Sequence, residues 1–426
     1  MEVVNEQILT KPISRNEYKQ TELGLIPYEW DVKKLGEVSN IKTGPFGSSL
    51  HERDYVSDGT PIITVEHLGE LGIIPKSMPM VSDTDKKRLS SYILQTDDIV
   101  FSRVGSVDRN SIVNKKEQGW LFSGRLLRIR VESRNIFPKY LSYYFHQESF
   151  KQRIRNVAVG QTMASLNTQI LKEIEVVVPI DFTEQTAIAT ALSDTDDLIN
   201  SLEKLIEKKR NIKQGAMQKL LQPKEGWKVK KLGDLGKTFG GLSGKSKIDF
   251  TDGKYPYIPF MNIMSNPIID TTYLGFVNIK NGENQNAALK GDLFFNGSSE
   301  TPEEVGMCSV LLEDVPNLYL NSFCFGFRLN YQLKNNGLYL SYYLRSSEGR
   351  KLFFSMAQGA TRYNLSKNNF NNLEISLPKP EEQNSIATIL SDMDNEISAL
   401  ENKLEKYREI KVGMMQNLLT GKIRLV

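Results

Sequence analysis

Cysteine is nearly missing from this 426-residue chain, which has only Cys308 and Cys324. Two thiols build no disulfide framework and offer no metal-ligand spacing, so a reducing, cytoplasmic compartment is expected. Histidine is almost as scarce. His51, His67 and His146 lie far apart, and surface or loop placement is the expectation for each. An excess of one charge is also missing: 54 basic residues against 51 acidic ones leave a formal net charge of +3. That balance does not decide for or against nucleic acid, because basic side chains can be gathered on one face. No apolar run approaches the roughly 20 residues of a membrane-spanning helix. The opening MEVVNEQILTKPISRNEYKQ is polar, without an apolar core of signal-peptide length, so neither a leader nor a membrane partner is expected.

Catalytic constellations are missing as well. The chain has no paired-proline motif of the amino-methyltransferase type and no FxGxG cofactor loop. Its nearest approach to a phosphate loop is GGLSGKS, Gly240 to Ser246. A P-loop needs four residues between its glycines so that backbone amides wrap the phosphates. Gly240 and Gly244 are separated by three, and the matching segment KTGPFGSS has no lysine after its last glycine. A polar, lysine-bearing surface loop is the better reading.

What the chain does contain is a repeat. Phe182 to Leu221 returns as Pro380 to Leu419 at a constant shift of 198 without a gap. In the first copy Ile188, Leu192, Ile199, Leu202 and Ile206 follow the alternating three- and four-residue steps of a coiled-coil seam. Ile386, Leu390, Ile397, Leu400 and Leu404 follow them in the second. Each segment starts after proline and carries acidic residues early and lysines or arginines later, the order the helix dipole prefers. Two long helices are predicted, about 50 Å each from the first seam residue to the last turn. The first seam is interrupted. Thr195 stands where the other copy has Met393, and Lys209 where it has Tyr407.

The duplication extends beyond the helices. IPYEWDVKKLGEV from Ile26 is echoed by GWKVKKLGDL from Gly226, so Trp30 matches Trp227; an indole buried at the junction with a long helix is the expected role. Strands are predicted at Ile62–Val65, Asp98–Ser102, Leu126–Val131 and Glu175–Val178, with counterparts at Tyr257–Phe260, Asp292–Asn296, Phe323–Leu329 and Glu374–Leu377. A helix marked by Tyr140-Leu141-Ser142-Tyr143-Tyr144 or Tyr339-Leu340-Ser341-Tyr342-Tyr343 follows the third strand of each set. The predicted organisation is α+β: an arm or short helix over 1–20, mixed domains over 21–180 and 223–379, a long helix over 181–222, and a second long helix with a tail over 380–426.

Loop sequences differ between the halves although the frame is shared, which suggests one task performed on two targets. The loops offer Lys42, Ser48, Ser49, Arg103, Arg109, Gln161, Thr162, Ser165 and Asn167 in the first half. The second presents Lys245, Asn262, Asn296, Ser298, Thr361, Arg362, Tyr363, Asn364 and Lys367. Arginine, glutamine and asparagine can read base edges through paired hydrogen bonds, while lysines and hydroxyls suit phosphates. Glu303 and Glu304 argue against that loop tip lying on phosphate.

The repeated W-x-V-K-K-L-G opening, the G-x-T segments at Gly160 and Gly359, the P-x(3–4)-E-Q-x-x-I-A starts of the long helices and their I-K-x-G-x-M-Q-x-L-L ends form one pattern. Over nearly the whole chain it resembles the specificity (S) subunit of Type I restriction–modification enzymes. The resemblance implies two target-recognition domains, each binding one part of a bipartite, asymmetric double-stranded DNA site. It implies an antiparallel coiled coil that spaces them and docks two methyltransferase (M) subunits, with restriction/translocase (R) subunits joining the complex. The chain itself would be non-catalytic, with no cofactor of its own; S-adenosylmethionine and ATP with magnesium would sit on the partners. A duplicated scaffold holding proteins instead of DNA is the competing reading.

Overall fold

The computed structural model describes residues 10–12, 17–46, 49–70, 72–158, 164–356 and 363–425. Two compact units emerge, one comprising 1–203 with 403–426 and the other 204–402. The division falls inside both long helices, Phe182–Leu220 and Pro380–Leu418, and not at their starts. Each unit therefore owns one recognition domain, the first half of the helix that follows it, and the second half of the other helix.

In the first unit an antiparallel sheet runs in the order Asn110–Ile112, Ile99–Ser102, Leu126–Val131, Ser39–Thr43. The strand IVFS is buried at every position because it is covered twice. Ile99 and Phe101 pack with Tyr140, Phe145, Ile188 and Leu192 on the helical side, while Val100 packs with Ile63 and Phe122 of a smaller sheet on the other. In that smaller sheet Thr60–Ile63 pairs parallel with Leu121–Phe122. The second unit repeats the plan with Gly236–Gly240, Cys324–Leu329, Leu293–Asn296 and Cys308–Val310. Leu293 and Phe295 face the helices and Phe294 faces the small sheet, where Tyr255–Ile258 pairs parallel with Tyr319–Leu320. Fully burying such a side chain contributes roughly 1.5–3 kcal/mol, so two-sided burial accounts for the unbroken apolar strands.

Both large sheets carry the same ion pair, a buried aspartate held by a partly exposed arginine. Arg130 grips Asp98 through Nε (2.7 Å) and Nη2 (2.6 Å), and Arg328 grips Asp292 through Nε (2.8 Å) and Nη2 (2.7 Å). Each aspartate also accepts a backbone N–H, from Gln95 or Leu289, at 2.8 Å. Two parallel charge-assisted bonds plus a third donor are what makes burying these carboxylates tolerable.

The repeated E-Q at each long-helix start has a local cause. Gln185 is buried; it donates to the carbonyls of Asn135 and Pro179, both at 2.8 Å, and accepts the N–H of Phe137 at 2.8 Å. Gln383 donates to Asn335 Oδ1 at 3.1 Å and the Pro378 carbonyl at 3.0 Å, and accepts the N–H of Asn336 at 3.0 Å. In each unit this amide ties the start of the long helix to the loop before the tyrosine-rich helix, Pro138–Phe145 or Gly337–Arg345.

Within each unit the long-helix halves run antiparallel. In the first, Asp196 meets Lys411 at 2.8 Å and Glu203 meets Arg408 at 2.7 Å. In the second, Lys213 meets Asp394, and Arg210 meets Glu401 at 2.6 Å. Ile188, Leu192, Ile199, Leu202, Ile206, Ile386, Leu390, Ile397 and Leu404 are buried, and Leu400 is half-buried. The interrupted seam positions are accommodated by polar contacts: Lys209 pairs with Glu396 at 2.6 Å, and the Thr195 hydroxyl lies 2.9 Å from the Ala191 carbonyl and 3.4 Å from Met414 Sδ.

Several expectations are corrected. The described part of the arm is neither helix nor loose: Thr10–Pro12 pairs with Ile423–Leu425, and Tyr18–Thr21 with Gly24–Pro27. Phe260 does not end a strand but begins the helix Phe260–Ser265. Trp30 is fully buried and donates to Glu184 at 3.2 Å, under an Arg424 that also binds Glu184 and Glu29; its counterpart Trp227 is only half-buried. His51 is exposed as expected, but His67 is buried, accepting the Thr64 N–H at 3.0 Å through Nδ1 and lying 3.0 Å from the Lys76 carbonyl through Nε2. His146 Nδ1 is also buried.

Candidate nucleic-acid interface

Four chain segments meet at one end of the large sheet in each unit. In the first, they follow strand Ser39–Thr43, follow strand Ile99–Ser102, precede strand Leu126–Val131, and precede helix Thr168–Glu173. The meeting is held by backbone: Gly44 N–H donates to Leu126 (3.1 Å), Arg103 N–H to Arg125 (2.9 Å), Leu166 N–H to Arg103 (2.8 Å), and Gly105 N–H to Ala164 (3.0 Å). A Cβ on Gly44 would sit 2.1 Å from the Ser123 carbonyl oxygen, so only glycine permits this approach. In the second unit Leu242 N–H donates to Leu320 (2.8 Å), Gly297 N–H to Phe323 (3.2 Å), and Leu365 N–H to Gly297 (3.0 Å). A Cβ on Gly241 would likewise meet the Asn321 carbonyl oxygen at 2.1 Å.

These bonds define equivalent stations. Arg103 and Gly297 each donate to the residue before the next sheet strand and accept from a leucine. Arg125 and Phe323 accept at matching places. The frame is one; the side chains are not. Arg103 donates Nη1 to the Gly124 carbonyl at 3.2 Å and lies 5.5 Å from the centre of the Phe46 ring. Its Nε is buried without a partner, as is the hydroxyl of Ser123. Phe46 is 62% exposed and Phe323 61%; Arg125 is exposed as well. Arg125, Phe46 and Phe323 were not among the residues singled out from sequence. Arg125 and Phe323 directly precede equivalent sheet strands, a position that is their only signal in the sequence, and Phe46 has none.

The sequence-derived candidates divide sharply. Ser48, Gln161, Thr162, Thr361 and Arg362 lie outside the described residues. Around the first meeting point stand Arg103, Ser49, whose carbonyl accepts from Arg88 at 2.6 Å, and Ser165, bridged to Val104. Asn167 is exposed but spends its Oδ1 capping helix Thr168–Glu173 through the Ile170 N–H at 2.8 Å. Lys42 donates to the Ser91 carbonyl at 3.0 Å and lies 4.2 Å from the Tyr92 ring centre; burial lowers its pKa, and Arg128 and Arg130 add to the effect. Arg109 binds the Leu68 carbonyl, away from this cluster.

In the second unit Ser298 and Ser299 pair with Asn364 and Tyr363 across a two-stranded ladder. Lys367 is exposed and approaches Gly240. Three candidates are corrected. Asn262 is fully buried, donating to the carbonyls of Asp270 (2.8 Å) and Tyr273 (2.7 Å) while accepting the Asp270 N–H (2.9 Å). Asn296 is fully buried, donating to the Glu304 carbonyl at 2.9 Å and accepting the Met307 N–H at 2.6 Å. Although GGLSGKS is otherwise the surface loop expected, with Ser243, Gly244 and Ser246 exposed, the Lys245 side chain is buried against Glu283 and the Asn278 carbonyl. Their polar atoms are spent on closing loops, which is the usual fate of buried polar groups.

Among the described residues no group of three or more potential ligands could hold a metal ion, and no helix is long and apolar enough to cross a membrane. Burial pushes both thiols up, that of Cys324 to about 12, so neither is a nucleophile near neutral pH. The geometry supplies exposed guanidinium, amide, hydroxyl and aromatic groups on two rigid frames, which suits recognition.

The family described as Type I restriction modification DNA specificity domain matches this chain twice, over residues 27–214 and 224–411. A putative type I restriction enzyme MjaX specificity subunit of Methanocaldococcus jannaschii is 27% identical over 452 residues, covering 98% of this chain and 99% of that one. A type I restriction enzyme MjaIX specificity subunit of the same organism is 26% identical over 280 residues, 60% of this chain and 63% of that one. Among solved structures, the S subunit of a type I restriction–modification system from M. genitalium superposes with a TM-score of 0.57 at 17% identity, over 91% of this chain and 96% of that one. That structure speaks to the fold.

Proposed function

Because the chain belongs to the Type I restriction–modification DNA specificity family, two of whose domains cover most of its length, we propose that its two recognition domains each read one part of a bipartite, asymmetric DNA site. The chain is the specificity subunit of a Type I restriction–modification system. As such it recognises DNA, and the chemistry belongs to its partner subunits. The observation that carries the two-part reading is the pair of loop clusters on equivalent frames with different side chains at equivalent stations. One frame used twice keeps the geometry of approach to the duplex, and changed side chains alter which bases are read.

The paired helices space the two readers and receive two methyltransferase subunits, through which restriction/translocase subunits join, in the cytoplasm. S-adenosylmethionine and ATP with magnesium belong to those partners. Family membership leaves the protein-scaffold alternative without support.

The test is to express this chain with its methyltransferase subunits and sequence the methylated adenines in the host genome. The expected result is one two-part motif that disappears when this chain is omitted. Methylation at the same sites without the chain would overturn the proposal. A gel shift with the purified complex, cognate against scrambled duplex, checks direct binding.

A further inference from the structure

We propose that Arg103 reads a guanine in the first half-site, and that the equivalent station in the second domain, Gly297, leaves its base unread. This rests on the DNA-reading role proposed above and names the residue and base class.

The two positions occupy the same place in the same frame. Arg103 N–H donates to the carbonyl of Arg125 at 2.9 Å and Gly297 N–H to that of Phe323 at 3.2 Å; the Arg103 carbonyl accepts from Leu166 at 2.8 Å and the Gly297 carbonyl from Leu365 at 3.0 Å. Backbone that is held identically presents whatever side chain it carries in the same direction. In one half that side chain is a guanidinium, and in the other it is missing.

The Arg103 guanidinium is already oriented. It lies against the exposed Phe46 ring, 5.5 Å from its centre, and is anchored by one Nη1 bond to Gly124. Nε is buried without a partner, which leaves the Nη edge of the fork for a ligand. A guanidinium has five donors in a rigid fork, and its paired N–H groups match O6 and N7 of guanine in the major groove. The contact with Phe46 and the bond to Gly124 limit the rotamers of Arg103, so less rotamer freedom is lost on binding. A lysine at this station could neutralise phosphate but could not make the paired contact.

Gly297 shows that the station can be rewritten. A Cβ placed there would meet the Phe323 carbonyl oxygen at 3.4 Å and Phe325 Cδ1 at 3.8 Å, which is ordinary contact, and its backbone is not in the left-handed region. An arginine can therefore be installed without backbone strain.

The experiment uses the full complex, with adenine methylation mapped genome-wide for wild type, Arg103→Ala and Gly297→Arg. Wild type should require a guanine at one position of one half-site. Arg103→Ala should relax that position alone, with discrimination falling roughly 5- to 150-fold, while the other half-site stays unchanged. Gly297→Arg should add a guanine preference at one position of the other half-site. Should Arg103→Ala fail to accumulate, Arg103→Lys keeps the charge, loses the fork, and should relax the same position. An unchanged motif, or weakening that is uniform across all sequences as expected of a phosphate contact or a loop staple, overturns the inference. Those outcomes leave the two-part motif in place, whereas a wild-type complex with no such motif would instead sink the functional reading beneath it.

Discussion

Tyr143 donates its hydroxyl to Asp196 over 2.7 Å, joining the tyrosine-rich helix of the first domain to the long helix that follows it. Lys411, from the other long helix, reaches the second oxygen of the same carboxylate at 2.8 Å. The second unit repeats the arrangement: Tyr342 donates to Asp394 over 2.6 Å, and Lys213 pairs with Asp394. One carboxylate in each unit therefore ties a recognition domain to both helices. Each tyrosine's pKa is raised, first by burial and then by its aspartate, so the phenol stays a donor throughout the physiological range.

Removing the carboxylate should cost more than removing the phenol. Asp196→Ala leaves Lys411 partly buried without its partner and should destabilise the first unit by about 3 kcal/mol. Tyr143→Phe loses one hydrogen bond and should cost about 1 kcal/mol. Urea unfolding of the purified chain checks both values; equal effects would contradict the shared-carboxylate account.

Asp98 and Asp292 are the other duplicated device. Asp98→Ala leaves the partly exposed Arg130 without its bidentate acceptor and should cost about 1.5–3 kcal/mol. Asp292→Ala should cost less, because Arg328 is nearly half exposed and water replaces its lost partner. The expected signature is an early transition confined to the mutated unit, read by hydrogen exchange on its sheet.

His146 makes the first unit acid-sensitive. Burial, with Lys151 and Lys411 close by, holds its imidazole pKa down at about 3. The unfolded chain therefore binds more protons than the folded one between about pH 6.5 and pH 3, and stability present above that window is lost as pH falls through it. The loss should reach about 2 kcal/mol by pH 5. Urea midpoints measured from pH 7.5 to pH 5 should show it in wild type and not in His146→Gln.

Lys367 is exposed beside the second loop cluster. If it meets a phosphate, Lys367→Ala should weaken binding evenly across sequences and lower the slope of log K against log salt by about 1. Binding titrations at several salt concentrations on cognate and non-cognate duplexes decide it, and a sequence-dependent loss would reassign the residue to base reading.

The proposed spacing role predicts a discrete change. Deleting residues 200–206 together with 398–404 removes one heptad from each long helix, about 10 Å of length, or about three base pairs of duplex. The methylated motif should keep both halves and shorten its gap. An unchanged gap would show that spacing is set elsewhere.

The duplication, both long helices, the two central strands of each large sheet and the apolar seam are legible in the sequence, whereas the outer strands Ser39–Thr43, Asn110–Ile112, Gly236–Gly240 and Cys308–Val310 are not. Periodicity is a local property written along the chain, and repetition of Trp, Glu-Gln and Leu-Leu landmarks needs no contacts to be seen. Tertiary structure alone decided helix direction, which loops meet, and where polar side chains are spent. Asn262, Asn296 and Lys245 look from sequence like free recognition groups, but burial and closed hydrogen bonds occupy them inside their loops. Tyr143, Asp196 and Lys411 each lie in a repeated segment, but their mutual contact is not legible there, because partners 53 and 215 positions apart in the chain meet only after folding. Arg103 was visible as a basic loop residue. Its equivalence with Gly297 was not, since the backbone bonds that define the station depend on strand register and leave no trace in residue type.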